Sequence, residues 1–306
     1  MSSGLLVLYA VVRGLIYVGL LLLVGSRAAG ALFARQVHDA ELADLLRRRL
    51  TRFSSWLLAP LLVAMVARGL LQLVSFLDPG DVITFRLVQS GLLSGSWGHA
   101  WALQIAATAV GLALVTRRRD PMKTLNPLTM ILVAIILWGQ TGMGHAAGDN
   151  WHGPLGRLLD LAHLAGVGIW LGTLAVVLLV GLPLLHAESR LPTLAGVVRT
   201  FSVYARVGAV LAVISGTTAA LIYSGGSLTI IPASTWGRLL LLKLVGMLGV
   251  LALGWYNWRV VTPALEGRQV SSPGTLRRAI RVELALGLVM LAITTMLVVS
   301  SLPGEG

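Results

Sequence analysis

Metal-binding side chains stand close together near the middle of this 306-residue chain, within or beside long apolar segments. Met143 precedes His145 by two residues, and Asp160 and His163 stand three residues apart in the next apolar segment. Residues at positions i and i+3 share one face of a helix, so Asp160 and His163 are expected to point the same way. Imidazole binds copper in either oxidation state, thioether prefers Cu(I), and carboxylate suits harder cations. These residue types predict a transition-metal site.

The predicted metal ligands are His145 and His163, with Met143, Asp160 and His99 as second choices. His99 joins this group because it stands at the start of an apolar segment that opens on the same predicted side of a membrane. Two other interpretations stay open. Asp160 could orient His163 without touching the metal, or each histidine could serve only the fold, as a helix cap or as a hydrogen-bond partner of a neighbouring helix.

Eight long apolar segments must position these residues. The chain is 56% hydrophobic and 12% charged, and an average soluble domain carries about twice that charged fraction. Apolar runs of about 18 or more residues are typical of membrane-spanning helices. We therefore predict an all-α, polytopic membrane protein, an eight-transmembrane-helix bundle that forms one integral membrane domain over 1–306 with no soluble domain. The predicted spans are 4–32, 53–77, 98–116, 127–144, 155–185, 201–224, 236–258 and 279–301.

Among the ionisable residues inside these spans, seven are each expected to have a partner or a function. A charge near the middle of a bilayer costs about 2.5–3.5 kcal/mol on insertion scales. Segment 82–96 is too polar to span and is predicted to be a helix or loop at the outer membrane interface. The intramembrane residues are Arg13, Arg68, Asp160, His163, Arg206, Lys243 and Glu283.

The basic residues set the predicted orientation. The loops after spans one, three, five and seven, together with Arg281 just inside the last span, hold 16 Lys and Arg residues. The other side holds 3, which are Arg86 and, near the starts of spans five and seven, Arg157 and Arg238. Lys and Arg collect in short cytoplasmic loops, so both termini are predicted to lie outside. The net charge of +12 follows from this bias, and nucleic-acid binding is not expected.

Three short motifs recur in the same order along the two halves of the chain. The sequences at 16–19 and 169–172 match, as do those at 53–54 and 201–202, and those at 96–98 and 235–237. This order predicts two parallel four-helix repeats, 1–126 and 127–306, related by an axis along the membrane normal. Chance similarity among apolar tripeptides is the alternative interpretation.

Several enzyme and pump classes lack their motifs in this sequence. There is no phosphate-binding loop for ATP-driven pumping, and the chain has 0 cysteines, so it contains no Cys-x-x-Cys motif for soft-metal capture. We therefore expect a protein that is not an enzyme and that holds no organic cofactor.

The ordered motifs resemble the copper-resistance protein D (CopD) family of bacterial inner-membrane proteins. Single motifs are weakly specific in apolar helices, whereas their number and order are much more specific. The residues that carry the resemblance are Gly144-His145-Ala146, Asp160-x-x-His163-Leu164, Trp170-Leu171-Gly172, Arg199-x-Phe201-Ser202, Gly216, Trp236-Gly237-Arg238-x-Leu240-x-x-Lys243, Asn257 and Glu283.

The resemblance implies a multi-pass copper transport protein of the bacterial inner membrane, with copper moving from the periplasm toward the cytoplasm and both termini in the periplasm. It also implies a separate periplasmic copper carrier of the CopC type as a partner. A haem-binding membrane oxidoreductase stays open, because paired histidines on adjacent helices ligate b-type haem. A scaffold that hands copper to another protein without transport is a third hypothesis.

Overall fold

The computed structural model describes residues 3–77, 84–117, 127–144, 153–224, 231–232, 234–256, 259 and 273–300. Every regular element within these ranges is helical. Seven of the described helices are long and apolar enough to cross a membrane. The prediction of an all-α, multi-pass membrane bundle is therefore confirmed.

The described helices, in chain order, are α1 Ser3–Gln36, α2 Ala40–Val74, α3 Phe85–Val88, α4 Ser96–Arg117, α5 Pro127–Thr141, α6 Gly153–Leu185, α7 Leu191–Tyr223, α8 Thr235–Tyr256 and α9 Pro273–Val299. α3 continues into a π-helical turn, and α6 contains two π-helical segments, Gly168–Gly172 and Val177–Gly181. Such π segments widen a helix locally and occur often at functional sites.

Three predicted spans differ from the structure in length. α5 has 15 residues, fewer than the roughly 20 that cross a bilayer without help, so the fourth span is a shorter apolar helix. α2 begins at Ala40 and α7 at Leu191, each about three turns before the predicted start. The predicted non-spanning segment 82–96 holds α3 and its π turn within its described residues.

The early start of α2 follows from its own amphipathic sequence. The Asp39 side chain accepts a hydrogen bond from the Leu42 backbone N–H at 2.7 Å and caps the helix. Leu42, Leu46 and Leu50 recur every four residues and are all buried, so they form one apolar face. The arginines of this segment therefore stand on a helix, where Arg48 Nε bonds Asp44 at 2.8 Å, and not in the loop that the charge pattern predicted.

Glycines bring α1, α6 and α7 into direct backbone contact. A Cβ added to Gly25 of α1 would collide with the backbone of Gly172 of α6. A Cβ on Gly166 would lie 2.7 Å from the carbonyl oxygen of Gly208 of α7. Small residues at a crossing allow this approach in membranes. Gly168 and Gly172 of α6 thus allow α1 to pack directly against α6.

The remaining helices form two further groups around this contact. α2, α4 and α5 pack in sequence beside α1, and α5 returns to α6. α8 packs along α9, and α9 contacts α1. The ends of α5 and α7 and the beginnings of α4, α6 and α8 lie at one end of the bundle, here called the site end.

The two copies of one recurring motif, 96–98 and 235–237, make the same local contact. A Cβ on Gly98, at the start of α4, would collide with the carbonyl oxygen of Leu92, six residues earlier. A Cβ on Gly237, at the start of α8, would collide with the carbonyl oxygen of Ile231, also six residues earlier. These matched contacts support the predicted repeat of two four-helix halves, which stays a prediction.

Candidate functional site

A cavity of about 450 Å³ lies at the junction of α1, α6, α7, α8 and α9. Leucine, valine, alanine and methionine side chains make up most of its wall. Ionisable and hydrogen-bonding side chains converge on its part near the site end. They are Arg13, Tyr17, Gln140, Thr141, Asp160, His163, Tyr223 and Lys243.

His163 and Lys243 lie at a similar depth because of where they stand on their helices. His163 lies about 15 Å along α6 from the site end, and Lys243 lies about 12 Å along α8, at 1.5 Å per residue. Both helices begin at that end. A mostly apolar cavity with a few convergent polar groups is the usual form of a ligand site.

The hydrogen bonding of His163 leaves one ring nitrogen for a ligand. Its Nδ1 lies 2.9 Å from the backbone carbonyl oxygen of Ala212 in α7. A carbonyl can only accept, so Nδ1 carries the proton and Nε2 of the neutral ring keeps its lone pair. A metal-binding histidine is oriented in this way when its second nitrogen donates to a backbone carbonyl. The predicted hydrogen bond to a neighbouring helix is therefore present and is compatible with metal binding.

Gly216 of α7 makes room for the His163 ring. A Cβ at this position would lie 2.9 Å from Nδ1 and 3.0 Å from Cε1 of His163. Both distances are shorter than ordinary van der Waals contact, so any side chain here would displace the ring. Gly216 is thus a positioning residue whose role becomes visible only once α6 and α7 are packed.

Asp160 stands one turn before His163 and lines the same cavity. Among the residues that the structure describes, its carboxylate makes no hydrogen bond and no ion pair within 4.0 Å. A carboxylate and an imidazole one helical turn apart form a pair of ligands on one face, as the i, i+3 spacing predicts.

The end of α5 approaches Asp160. The Oδ2 atom of Asp160 lies 3.9 Å from the position that a Cβ on Gly144 would take. Gly144 is the residue directly before His145 in the sequence, while His145 itself lies outside the described residues. The described chain therefore leads to the immediate neighbourhood of the Asp160 carboxylate before it reaches His145.

Met143 is buried, and its backbone belongs to a second polar cluster. Arg68 is completely buried and donates from Nη2 to the carbonyl oxygen of Met143 at 3.2 Å and from Nη1 to Gln140 Oε1 at 3.1 Å. Gln104 Nε2 donates to the same Gln140 oxygen at 3.2 Å and to the Ile136 carbonyl oxygen at 3.1 Å. Arg68, Gln104 and Gln140 are called the amide–arginine cluster below. This cluster ties α2, α4 and α5 together and fixes the last turn of α5.

His99 lies away from the cavity. Its side chain is exposed at the start of α4, and it is absent from the residues that line the cavity. The neighbouring Trp97 instead faces inward, with the Arg68 guanidinium 5.8 Å from its ring centroid. Of the five predicted ligands, Asp160 and His163 line the same cavity, and Met143 is buried but is not among the residues that line it. His99 lies outside the cavity, and His145 lies outside the described residues.

Trp170 links α6 to α9 below the histidine. Its indole Nε1 donates to Glu283 Oε1 at 3.0 Å, and both residues are buried. Trp170 also lines the cavity, as Asp160 and His163 do. This bond joins α6 to α9, which belongs to the group formed by α8 and α9.

The described donors are fewer than a closed metal site needs. Within the described ranges, no three His, Asp or Glu side chains gather closely enough to hold a metal ion. Asp160 and His163 can supply two ligands, which suits a cation that binds and leaves and that takes a further ligand from outside this pair.

Sequence reasoning missed the amide–arginine cluster and Tyr223. The Tyr223 hydroxyl is buried and has no hydrogen-bond partner among the described residues, and its side chain lines the cavity. The signal was present, because Gln104 and Gln140 are polar residues inside apolar spans. Amide side chains are not ionisable, so the pattern of ionisable residues inside the spans does not include them.

Comparison with known proteins agrees with this architecture. The chain matches the family model described as copper resistance protein D-like, N-terminal domain, over residues 1–154, and the model described as copper resistance protein D over residues 195–297. It is 26% identical over 301 residues to copper resistance protein D of Pseudomonas syringae pv. tomato, covering 92% of this chain and 93% of that protein. No solved structure matches the chain. The N-terminal match alone spans half of the chain, so this protein belongs to the copper resistance protein D family and has a role in copper resistance.

Proposed function

We propose that this protein moves copper ions across the bacterial inner membrane, from the periplasm toward the cytoplasm, and that it acts as a transporter and not as an enzyme. Family membership supports the link to copper. The observation that carries the proposal is the His163 ring, which donates from Nδ1 to Ala212 and so keeps Nε2 for a soft cation inside an apolar bundle.

Copper enters, on this proposal, at the site end. The bias of 16 against 3 basic residues places this end in the periplasm together with both termini. A separate periplasmic carrier of the CopC type would deliver the ion there. The mainly apolar cavity walls exclude water and leave the few polar groups as the places where an ion can stop.

Asp160 and His163 receive the ion, and His145 supplies the further imidazole. The position that a Cβ on Gly144 would take lies 3.9 Å from Asp160 Oδ2. Because Gly144 directly precedes His145 in the chain, this short distance supports the role of His145. The amide–arginine cluster does not bind the ion itself. It holds the end of α5 in place through the Met143 carbonyl. We propose no direct metal contact for His99.

The test is uptake of Cu(I), and of Ag(I) as a redox-inert substitute, into sealed vesicles that contain the purified protein alone. We expect H163A and H145A to reduce uptake to near the protein-free level. H186A is the matched control, since His186 is exposed at the opposite end of α6, and it should transport normally.

Three outcomes would overturn the proposal. Uptake without any dependence on His163 would remove the site. Binding without uptake by the wild-type protein would favour the copper-handling scaffold. A Soret absorption band in the purified protein would favour a haem protein.

A further inference from the structure

We propose that Lys243 acts as a tethered cation that competes with copper for Asp160 and His163, so that the ion binds weakly enough to be released. This inference rests on the proposed function. It assigns to Lys243 a role in setting affinity, and it makes α8, on which Lys243 stands, part of the transport cycle.

The position of Lys243 requires a function. It lies within the membrane-spanning helix α8, which otherwise carries one basic residue, the exposed Arg238 near its start. An ammonium inside a bilayer helix is expensive, so such residues mark ion pathways or paired charges. Lys243 lines the cavity across from α6, on the wall that α8 contributes.

Lys243 and Asp160 share the cavity without touching. Neither forms a hydrogen bond, or an ion pair within 4.0 Å, with any residue in the described part of the chain. Lys243, Asp160 and His163 nevertheless line the same cavity. The two opposite charges therefore face a common space in which a cation or water can sit between them.

Two basic groups and one acidic group face this space, so their summed charge does not favour a cation. Arg13 and Lys243 are basic, Asp160 is the acidic group, and Tyr17 and Tyr223 are neutral phenols. Lys243 contributes a mobile, compact positive charge at the end of a flexible stem. In the empty protein this ammonium neutralises Asp160 through the cavity, which lowers the cost of the buried carboxylate.

Binding and release then exchange two cations at one carboxylate. When copper reaches His163 and Asp160, the carboxylate turns to the metal and the ammonium is pushed back along the cavity wall. When copper leaves, Lys243 takes its place again. A conducting site must bind firmly enough to admit an ion and weakly enough to let it go, and a built-in competitor provides the second property.

The first half of the chain provides a comparison for this residue. With the motif spacing that aligns Gly98 with Gly237, Gln104 of α4 corresponds to Lys243 of α8. Gln104 is fully buried and donates to two acceptors. K243Q therefore replaces the competing charge by the neutral side chain that the other half carries at this place.

The experiment measures Ag(I) affinity of the full-length purified protein by competition with a chelator, together with uptake into vesicles. We expect K243Q to bind Ag(I) roughly ten- to a hundred-fold more tightly, because a unit positive charge is removed from the same cavity in a medium of intermediate dielectric. Its uptake at saturating Ag(I) should fall, because release becomes slow. R238Q is the matched control on the same helix and should behave as wild type, whereas K243R keeps the positive charge and should bind Ag(I) less tightly than K243Q.

The outcomes separate the two proposals. Failure of the wild-type protein to bind or move Ag(I) overturns the proposed function. Normal wild-type behaviour, together with unchanged or weaker Ag(I) binding by K243Q, overturns the role of Lys243. If K243Q does not yield folded protein, D160N and D160N/K243Q replace it, and the double variant must bind Ag(I) more tightly than D160N alone.

Discussion

The two halves of the bundle use their buried polar residues in opposite ways. Arg68 and Gln104 of the first half are buried, and both donate to Gln140 of α5, which follows that half in the chain. In the second half, Asp160 and Lys243 face a cavity and bond to no described residue. Hydrogen bonds between buried polar groups stabilise and specify a fold, although Arg68 Nε and Gln104 Oε1 have no partner among the described residues. Polar groups beside a cavity are instead available to a ligand. We propose that one half supports the fold and that the other provides the binding site.

The positions that correspond under the motif spacing show how this difference arises. Arg68 of the first half corresponds to Gly216 of the second, and Ala10 corresponds to His163. Each half thus pairs one large polar side chain with one small residue, but on opposite helices. In the first half the large residue, Arg68, donates to the side chain of Gln140 in α5 and to the backbone carbonyl of Met143. In the second half it is an imidazole held by a backbone carbonyl.

The reciprocal exchange of Gln104 and Lys243 should break this comparison most severely. Q104K places an ammonium beside the buried Arg68, with which Gln104 shares the Gln140 oxygen. A buried, unpaired charge is strongly destabilising, so we expect the free energy of unfolding to fall by more than about 3 kcal/mol. K243Q should change it by less than about 1 kcal/mol. Thermal unfolding in detergent, followed by tryptophan fluorescence, measures both, and equal losses would contradict the division into support and site.

Removal of the Arg68 head group is expected to have the next largest effect. R68M keeps an apolar stem and leaves the Met143 carbonyl without its donor. The loss of a buried hydrogen-bond partner costs about 1–3 kcal/mol, which should appear as a lower unfolding temperature. The exposed R86Q variant is the control and should unfold like the wild type. A stable R68M protein would show that the cluster does not support α5.

A methyl group at Gly216 should separate binding from stability. In G216A the new Cβ would come within 3.0 Å of the His163 ring, so the ring must turn and the bond to Ala212 is lost. We expect Ag(I) affinity to fall by roughly tenfold or more, as for loss of a group that orients a metal ligand. G111A, whose Cβ would lie 3.9 Å from its nearest neighbour, should bind Ag(I) normally. Unchanged affinity in G216A would mean that the orientation of His163 is unimportant.

Much of the architecture could be predicted from the sequence because long apolar runs and clustered arginines directly report bilayer crossing. The boundary of α2 could not be predicted in this way. Its arginines indicated a loop, while Leu42, Leu46 and Leu50 on the opposite face continue the helix. The number of charged residues in a segment indicates whether it lies inside the membrane. The spacing of its apolar residues indicates whether it is helical.

The candidate site was predictable only in part. The pairing of Asp160 with His163 follows from spacing along one helix. The contributions of Gly216, Ala212 and the amide–arginine cluster depend on how separate helices pack, which no local pattern encodes. His99 and His163 look alike in sequence, and only the packing shows that one ring is exposed and the other lines a cavity.

The central claim is that His163 binds copper through Nε2. Copper K-edge X-ray absorption of the purified, Cu(I)-loaded protein tests it most directly, because imidazole ligands give a characteristic multiple-scattering pattern. We expect this pattern in the wild type and in H186A, and a clear loss of imidazole scattering in H163A. An identical spectrum in H163A, with the same copper content, would contradict the account.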